Sequence, residues 1–431
     1  MSSVATAFSP TARRFDARHA GVVTERSSSR LAVGATAAVV VALPLVVPQG
    51  PANTSVTDLL IILAVGLVLL WATTVGHRLR FPYGFALTIF MAGGALGAMA
   101  GPVPGKGLVA LSQDLLLLAW CWALFNIAST PERLRTLLQT WAYSSIAWAI
   151  VLFGGLLAGS ATIAGQTARN AGRAALTFHD PNVAANYYVI SMMIICATQR
   201  PRRRSARLLA YGLLAGALFT TGSNSGALSF IVAVTVTSLV ALYRRYGTAA
   251  AITGFVFVGL CAFFIASNVS LKNVETKAHG SRWTFVREGI GRGDKSVSQR
   301  QTLVQESAHL YETGGLLGQG PVSTKTRLNS EMAPFVKEAH NDYFAALTER
   351  GPTGLLGLFL LIGGIVVRAG SLASSRLRHG FAEVVVRPGA ISGAVAATLV
   401  ASAVYELLHV RHVWALFALV AAICVSGKEG R

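Results

Sequence analysis

Apolar runs long enough to cross a bilayer recur along the whole chain of 431 residues. A helix needs roughly 17–25 such residues to span the hydrocarbon core. Apolar residues make up 53% of the chain and charged residues only 13%, roughly half the charged fraction of an average soluble domain. The sequence therefore predicts an all-α fold, a polytopic helical membrane protein with about twelve spans. The predicted spans are 31–49, 57–75, 82–101, 108–128, 140–159, 181–198, 208–222, 225–243, 248–268, 351–368, 388–405 and 411–427.

Basic residues are concentrated in every second connector between these spans. Lys and Arg favour cytoplasmic connectors, so the alternation and the even span count predict that both termini are cytoplasmic. This pattern also explains the formal net charge of +19, and we expect no nucleic-acid partner. The connectors assigned to the cytoplasm contain Arg78 and Arg80; Arg133 and Arg135; Arg200, Arg202, Arg203, Arg204 and Arg207; Arg244 and Arg245; and Arg368, Arg376, Arg378 and Arg387.

Four segments follow from this topology. Residues 1–30 are basic and rich in serine, and we interpret them as an uncleaved, disordered cytoplasmic tail. Residues 31–268 hold nine predicted spans, and residues 351–431 hold three. Residues 269–350 form one large hydrophilic loop, predicted to be extracytoplasmic, partly helical and packed over a cavity at the outer membrane boundary. An intermittent apolar stripe over residues 297–312 suggests the helical part.

The long loop ends in a histidine with acidic residues on both sides, in the stretch EAHNDYF. Asn341 or Asp342 can cap a short helix that runs to Arg350, and Gly351-Pro352 then breaks it before the next span. His340 would lie at the positive end of the helix dipole, which favours the neutral imidazole that a general base needs. The alternative is an ordinary surface histidine in a loop.

Several arginines lie in segments predicted to be outside, where topology does not explain them. A guanidinium binds phosphate oxygens through two parallel hydrogen bonds and stays charged near lipid. These residues could together bind a diphosphate, or they could be solvated loop charges or contacts to anionic headgroups. The arginines are Arg169, Arg173, Arg282, Arg287 and Arg300.

A second ionisable group lies at the outer mouth between the last two spans, and comprises Glu406, His409, Arg411 and His412. Ionisable residues at this depth are candidates for function, but they could equally close a salt-bridged helix hairpin. The remaining acids show no DxD pair or EF-hand spacing, so we expect neither a metal nor another cofactor. The outer loops contain no GxSxG, Walker A or GxGxxG motif, which argues against a serine hydrolase or an ATP-driven pump.

Four stretches, taken in order, resemble the O-antigen ligase/polymerase superfamily of bacterial membrane glycosyltransferases. The likeness covers roughly residues 165 to 425. The key positions are Arg173 with Pro181-Asn182, the start-of-span motif at 220–234, Arg300 with the Gly318 and Gly320 turn, and His340. The stretches are GRAALTFHDPNVAANYYV, TTGSNSGALSFIVAV, SQRQTLVQESAHLYETGGLLGQG and EAHNDYFAALTERGPTGLLGL.

The resemblance implies a GT-C-like membrane enzyme in the bacterial cytoplasmic membrane. It would transfer a glycan from an undecaprenyl diphosphate carrier to an acceptor hydroxyl on the outer face, without metal and with inversion. Arg300 would hold the diphosphate and His340 would activate the acceptor. Members often have Ser-Arg where this chain has Ser223-Asn224, so Arg173 or Arg169 would replace that arginine beside Asn224.

The resemblance leaves the acceptor open, because a glycan acceptor would make the enzyme a polymerase and a lipid or protein acceptor would make it a ligase. Other envelope polysaccharide export proteins are further candidate partners, beside the lipid bilayer. Two other classes of function remain open. A transporter or flippase of lipid-linked saccharides would also have many spans, and a non-catalytic scaffold would leave the His340 and Arg300 motifs without a purpose.

Overall fold

The computed structural model describes most of the chain outside the two ends and the middle of the long loop. Within the described residues the fold is all-α, as predicted, and contains no strand. The described residues are 28–50, 54–167, 172–178, 180–282, 287, 302, 305–306, 308–312, 315–324, 326, 328 and 341–428. The predicted tail at residues 1–30 lies almost wholly outside them.

Fifteen helices with defined bounds make up most of the described residues, beside helical pieces of the long loop. They are α1 (Ser28–Ala42), α2 (Val56–Val75), α3 (Gly84–Ala100), α4 (Pro104–Ile127), α5 (Pro131–Leu157), α6 (Ala161–Ala164), α7 (Pro181–Thr198), α8 (Arg204–Thr220), α9 (Asn224–Tyr246), α10 (Thr248–Asn268), α11 (Leu271–His279), α12 (Asp342–Ser374), α13 (His379–Val384), α14 (Pro388–Ser402) and α15 (Arg411–Ser426). A short 3-10 turn at Leu176–Phe178 precedes α7.

Each predicted span falls on one of these helices, which supports a multi-pass membrane protein. Among the described residues, six helices are long and apolar enough to cross a membrane, namely α2, α4, α5, α9, α10 and α12. Four shorter apolar helices, α1, α3, α14 and α15, pack with them. The count of twelve spans stays a prediction.

Polar contacts between helix ends fall into two groups, one at each end of the bundle. Within each group, the contacts join connectors that the charge pattern assigns to the same side of the membrane. The relative alternation of the connectors is therefore supported, while the side that faces the cytoplasm stays a prediction. At the end assigned to the outside, the contacts join Val47 to Thr177, Arg173 to Thr221, Asp342 to Leu407 and Arg411 to Asp58. At the opposite end they join Arg133 to Ser29, Arg80 to Asn126, Arg244 to Leu372 and Arg387 to Ala197.

Glycines allow α3 and the outer part of α12 to cross in close contact. A Cβ atom added at Gly93 would collide with the backbone of Gly354, and one added at Gly357 would collide with the backbone of Phe90. Small residues at a helix crossing let backbones approach, which is a common way to pack helices in lipid. This crossing fixes where the outer end of α12 lies.

The first nine residues of α12 form a separate short helix, which we call the half-helix (residues 342–350). The Asn341 side chain caps it by accepting from Tyr343 N (2.9 Å) and Phe344 N (3.2 Å). At Gly351 the backbone takes φ 62° and ψ −173°, and Pro352 follows. The predicted cap and break are both confirmed, and the reason is local, because a left-handed glycine and a proline without an N–H interrupt the hydrogen-bond ladder.

A tight turn of the long loop docks on the half-helix. This glycine turn (residues 315–320) donates two backbone hydrogen bonds, from Gln319 N to Thr348 O (2.8 Å) and from Gly320 N to Glu349 O (2.9 Å). The part of the loop with described residues also includes α11 and the buried Leu310. Most of the predicted apolar stripe lies outside the described residues, and the cavity under the loop stays a prediction.

Replacing Gly318 by alanine should lower thermal stability more than replacing Gly315. Both glycines have left-handed backbones (φ 80° and 77°), so an alanine at either costs about 1–2 kcal/mol of strain. Only at Gly318 would the added Cβ meet backbone, 2.6 Å from Gly351 N, whereas nothing lies within 4 Å at Gly315. Thermal unfolding of the two purified variants in detergent measures the difference, and equal melting temperatures would show that the turn does not dock as described.

Candidate functional site

The first two motifs pack together around the guanidinium of Arg173. This side chain is only 5% exposed. Its Nε donates to Thr221 O (2.6 Å) and its Nη2 donates to Asn182 Oδ1 (3.4 Å). Asn182 Oδ1 also accepts from Ser223 Oγ (2.8 Å). We call Arg173, Asn182, Thr221 and Ser223 the arginine cluster, in which one motif arginine is held rigidly by residues of both motifs.

Two helices begin at the arginine cluster, and their capping residues explain why. Asp180 caps α7 by accepting from Asn182 N (2.7 Å), with Pro181 at the first helical position. Ser223 caps α9 by accepting from Gly226 N (3.1 Å), and Asn224 is the first residue of that helix. Helix N-termini carry partial positive charge. Arg173 and the N-terminus of α9 bring positive charge to this end of the bundle, whereas the carboxylate of Asp180 already occupies the N-terminus of α7.

Several predicted site residues fall outside the arginine cluster. His340, Arg300 and Arg169 lie outside the described residues, so their roles stay predictions. Arg282 and Arg287 are described, and both are exposed beyond the end of α11.

The start of the half-helix is tied to the connector between α14 and α15, which we call the outer hairpin (residues 403–410). The two Asp342 carboxyl oxygens accept from Leu407 N (2.9 Å) and Leu408 N (3.2 Å). Asn341 Nδ2 donates to Ala403 O (2.7 Å). The segment that directly follows His340 in sequence is therefore fixed to the hairpin that carries the second predicted ionisable group.

Members of that second group have different surroundings. Arg411 forms a two-point ion pair with Asp58 of α2, from Nε to Oδ1 (2.9 Å) and from Nη2 to Oδ2 (2.6 Å). This pair joins α15 to the distant helix α2 and does not close the hairpin of the last two spans, so the salt-bridged hairpin stays an open alternative. His412 is buried and its Nε2 lies 3.0 Å from Asn186 Oδ1. Glu406 is half-buried and His409 is exposed, and they flank Leu407 and Leu408.

Helix α7 connects the arginine cluster to the outer hairpin. Asn182 belongs to the cluster, and Asn186, which contacts His412, lies four residues further along α7. Four residues correspond to a rise of about 6 Å, close to one helical turn. His412 follows the hairpin by two residues. The structure thus brings the first, second and fourth motifs to one end of the bundle.

Sequence reasoning missed two partly buried ion pairs at this end. Arg350, the last residue of the half-helix, donates from Nη2 to Asp114 Oδ2 of α4 (2.6 Å), and its guanidinium carbon lies 4.1 Å from the centre of the Phe90 ring. The other pair joins Arg411 to Asp58. A signal was present, because Asp58 and Asp114 are isolated acids inside apolar windows, and charges at membrane depth are usually paired.

The described residues include no group of three or more His, Cys, Asp or Glu side chains that could hold a metal ion. The expectation of a metal-independent reaction rests on the sequence and stays a prediction.

Comparison with known families agrees with the motifs. Residues 209–359 match the family described as O-antigen ligase. The matched segment runs from α8 through the glycine turn to the outer part of α12, and so contains the second, third and fourth motifs. No curated protein matches the chain. The match at residues 209–359 therefore supports the resemblance of this chain to the O-antigen ligase/polymerase superfamily.

Proposed function

We propose that this protein transfers a glycan from an undecaprenyl diphosphate carrier to an acceptor hydroxyl on the outer face of the cytoplasmic membrane. The superfamily and the membrane-length helices indicate a glycosyl-transfer function in a membrane. The carrier, the acceptor chemistry and the side of the membrane are our proposal. The reaction proceeds without metal, nucleotide or other cofactor.

One observation supports the proposal above the others. The buried Arg173 and the N-terminus of α9 lie at the same end of the bundle as the hairpin that holds the residues following His340. Transfer from a diphosphate carrier needs fixed positive charge for the leaving group and a base for the attacking hydroxyl, both within reach of one sugar. The arginine cluster fits the first requirement and the histidine segment fits the second.

In the proposed reaction His340 is the general base. His340 accepts the proton as the acceptor O–H bond breaks, and the acceptor oxygen attacks the anomeric carbon. The bond from that carbon to the diphosphate oxygen breaks, and its electron pair leaves with undecaprenyl diphosphate. Direct in-line attack inverts the anomeric centre and forms no covalent intermediate with the enzyme.

Arg300 and Arg173 stabilise the departing diphosphate, with Arg169 and Asn224 beside them. Arg173 contributes fixed charge, because its hydrogen bonds to Thr221 and Asn182 hold the guanidinium in one orientation. Charge that is already oriented needs no rearrangement during the reaction, and this is why preorganised groups stabilise a transition state well. Arg282, Arg287, Glu406 and His409 are secondary candidates for contacts to the substrates.

A transport assay and a transfer assay separate this proposal from a transporter or flippase of lipid-linked saccharides. In detergent solution there are no two compartments, so a transporter leaves its substrate chemically unchanged. We expect the purified protein to convert a synthetic glycan-diphosphate-undecaprenyl donor and a glycan acceptor into an elongated product. Unchanged donor in detergent, combined with donor movement across proteoliposome membranes, would favour the transporter instead.

A further inference from the structure

Asp342 holds two backbone amides that lie far away in the sequence. Its side chain is 5% exposed, and each carboxyl oxygen accepts from one amide, Oδ2 from Leu407 and Oδ1 from Leu408. A buried N–H without a partner is costly. Asp342 therefore supplies the main polar tie between the half-helix and the outer hairpin.

Asn341 adds a second tie to the same hairpin. Its Oδ1 caps the half-helix, while its Nδ2 donates to Ala403 O at the beginning of the hairpin. The two residues that follow His340 thus hold the hairpin at two points, at Ala403 and at Leu407–Leu408. His340 directly precedes Asn341 in the sequence, so this anchor lies one peptide bond from the histidine.

The hairpin is in turn anchored to the body of the bundle. Trp414 Nε1 donates to Leu408 O (2.6 Å), and Trp120 Nε1 of α4 donates to Arg411 O (3.2 Å). The ion pair of Arg411 with Asp58 adds a third connection, to α2. Through the hairpin, Asp342 is therefore connected to α15, α4 and α2. Its hydrogen bonds attach the half-helix to these packed helices.

We propose that Asp342 is a positioning residue, whose hydrogen bonds to Leu407 and Leu408 fix the start of the half-helix against the outer hairpin and thereby set the location of His340. The proposal rests on the proposed function, because only there does His340 have a chemical role. In this role Asp342 acts through its hydrogen bonds to two backbone amides. Misplacing a catalytic group by about 1 Å can reduce the rate about 10²-fold.

The substitution Asp342→Asn tests this role with little change in size. An amide keeps one acceptor oxygen and turns an NH₂ donor toward the other backbone N–H. We expect kcat for glycan transfer to fall about 10–10²-fold, while KM for the donor stays near the parent value. Asp342→Glu keeps a carboxyl group and should recover part of the lost kcat. The matched control is Tyr343→Phe, which removes a hydrogen bond from the same half-helix to Leu399 O (3.3 Å) and should transfer at near the parent rate.

Amide hydrogen exchange supplies a second readout that does not depend on activity. Peptides containing Leu407 and Leu408 should exchange faster in Asp342→Asn than in the parent or in Tyr343→Phe. Unchanged exchange, or unchanged kcat in an active parent, overturns the positioning role. If the parent transfers no glycan but exchange responds as expected, the proposed function has failed and only the structural tie stands.

Discussion

The substitution His340→Ala should reduce glycan transfer about 10²–10⁴-fold, the usual cost of removing a positioned acid–base group. A sugar hydroxyl is a poor nucleophile, so the reaction depends on a base that removes its proton during attack. Insertion into the membrane and thermal stability should not change. The measurement is the initial rate of product formation by purified protein, with donor and acceptor both saturating.

His279→Ala is the matched control for this experiment. His279 is exposed at the end of α11 and has no part in the proposed chemistry, so this variant should transfer at the parent rate. If His340→Ala also transfers at close to the parent rate, the general-base assignment is wrong. Glu338 and Asp342 would then be the next residues to test.

The substitution Arg300→Ala should be nearly as damaging, with a loss of about 10²–10³-fold in kcat, the range found when one group that stabilises developing charge is removed. The diphosphate gains negative charge as it leaves, so a fixed cation lowers the barrier more than it strengthens binding. Arg300→Lys should recover only part of the rate, because an ammonium group keeps the charge but lacks the two-point geometry of a guanidinium. Initial rates over a range of donor concentrations separate kcat from KM.

Lys277→Ala controls for loss of positive charge from the long loop, since Lys277 is exposed on α11. It should leave kcat unchanged. An equal loss in Lys277→Ala and Arg300→Ala would point to general electrostatic attraction of the donor. Equal rates for Arg300→Ala and the parent would leave Arg173 as the main cation of the diphosphate site.

Local signals in the sequence predicted the helices and the break in α12 well. Helices α7 and α10 have the bounds predicted for residues 181–198 and 248–268. The cap at Asn341 and the break at Gly351-Pro352 follow from residue types that act within one turn. Where such a signal was overlooked, the predicted span and the helix differ at one end. The first window, 31–49, runs past the end of α1 at Ala42, because Pro44 and Pro48 cannot continue a helix.

The start of α5 shows the same kind of error. The window 140–159 begins nine residues after Pro131, where the helix starts. Thr130 caps it, and Pro131 is favoured at a first helical position. Arg133 and Arg135, which were assigned to a connector, lie in the first turns of the helix. Their charge lowers the mean hydropathy of residues 131–139, so the predicted span begins too late. The cap at Thr130 marks the true start of the helix.

Contacts between distant segments could not be read from the sequence. Asp58 and Arg411 are separated by 353 positions, and Asp342 and Leu407 by 65. Such pairs depend on how the helices cross, and no single segment encodes this. The motifs contain Arg173 and Asn182, but only the packing shows how they are held. Arg173 donates to the Thr221 carbonyl and to the Asn182 side chain, which also accepts from the Ser223 hydroxyl. The sequence suggested which residues matter, and the fold shows which of the described ones meet.

The most direct test of the proposed reaction is its stoichiometry in a purified system. Protein in detergent would receive a synthetic glycan-diphosphate-undecaprenyl donor and a glycan acceptor, with a metal chelator and no nucleotide. The account predicts one undecaprenyl diphosphate released for each new glycosidic bond, with the configuration at the donor anomeric carbon inverted. Release of the carrier without a new bond, or a requirement for nucleotide or metal, would contradict it.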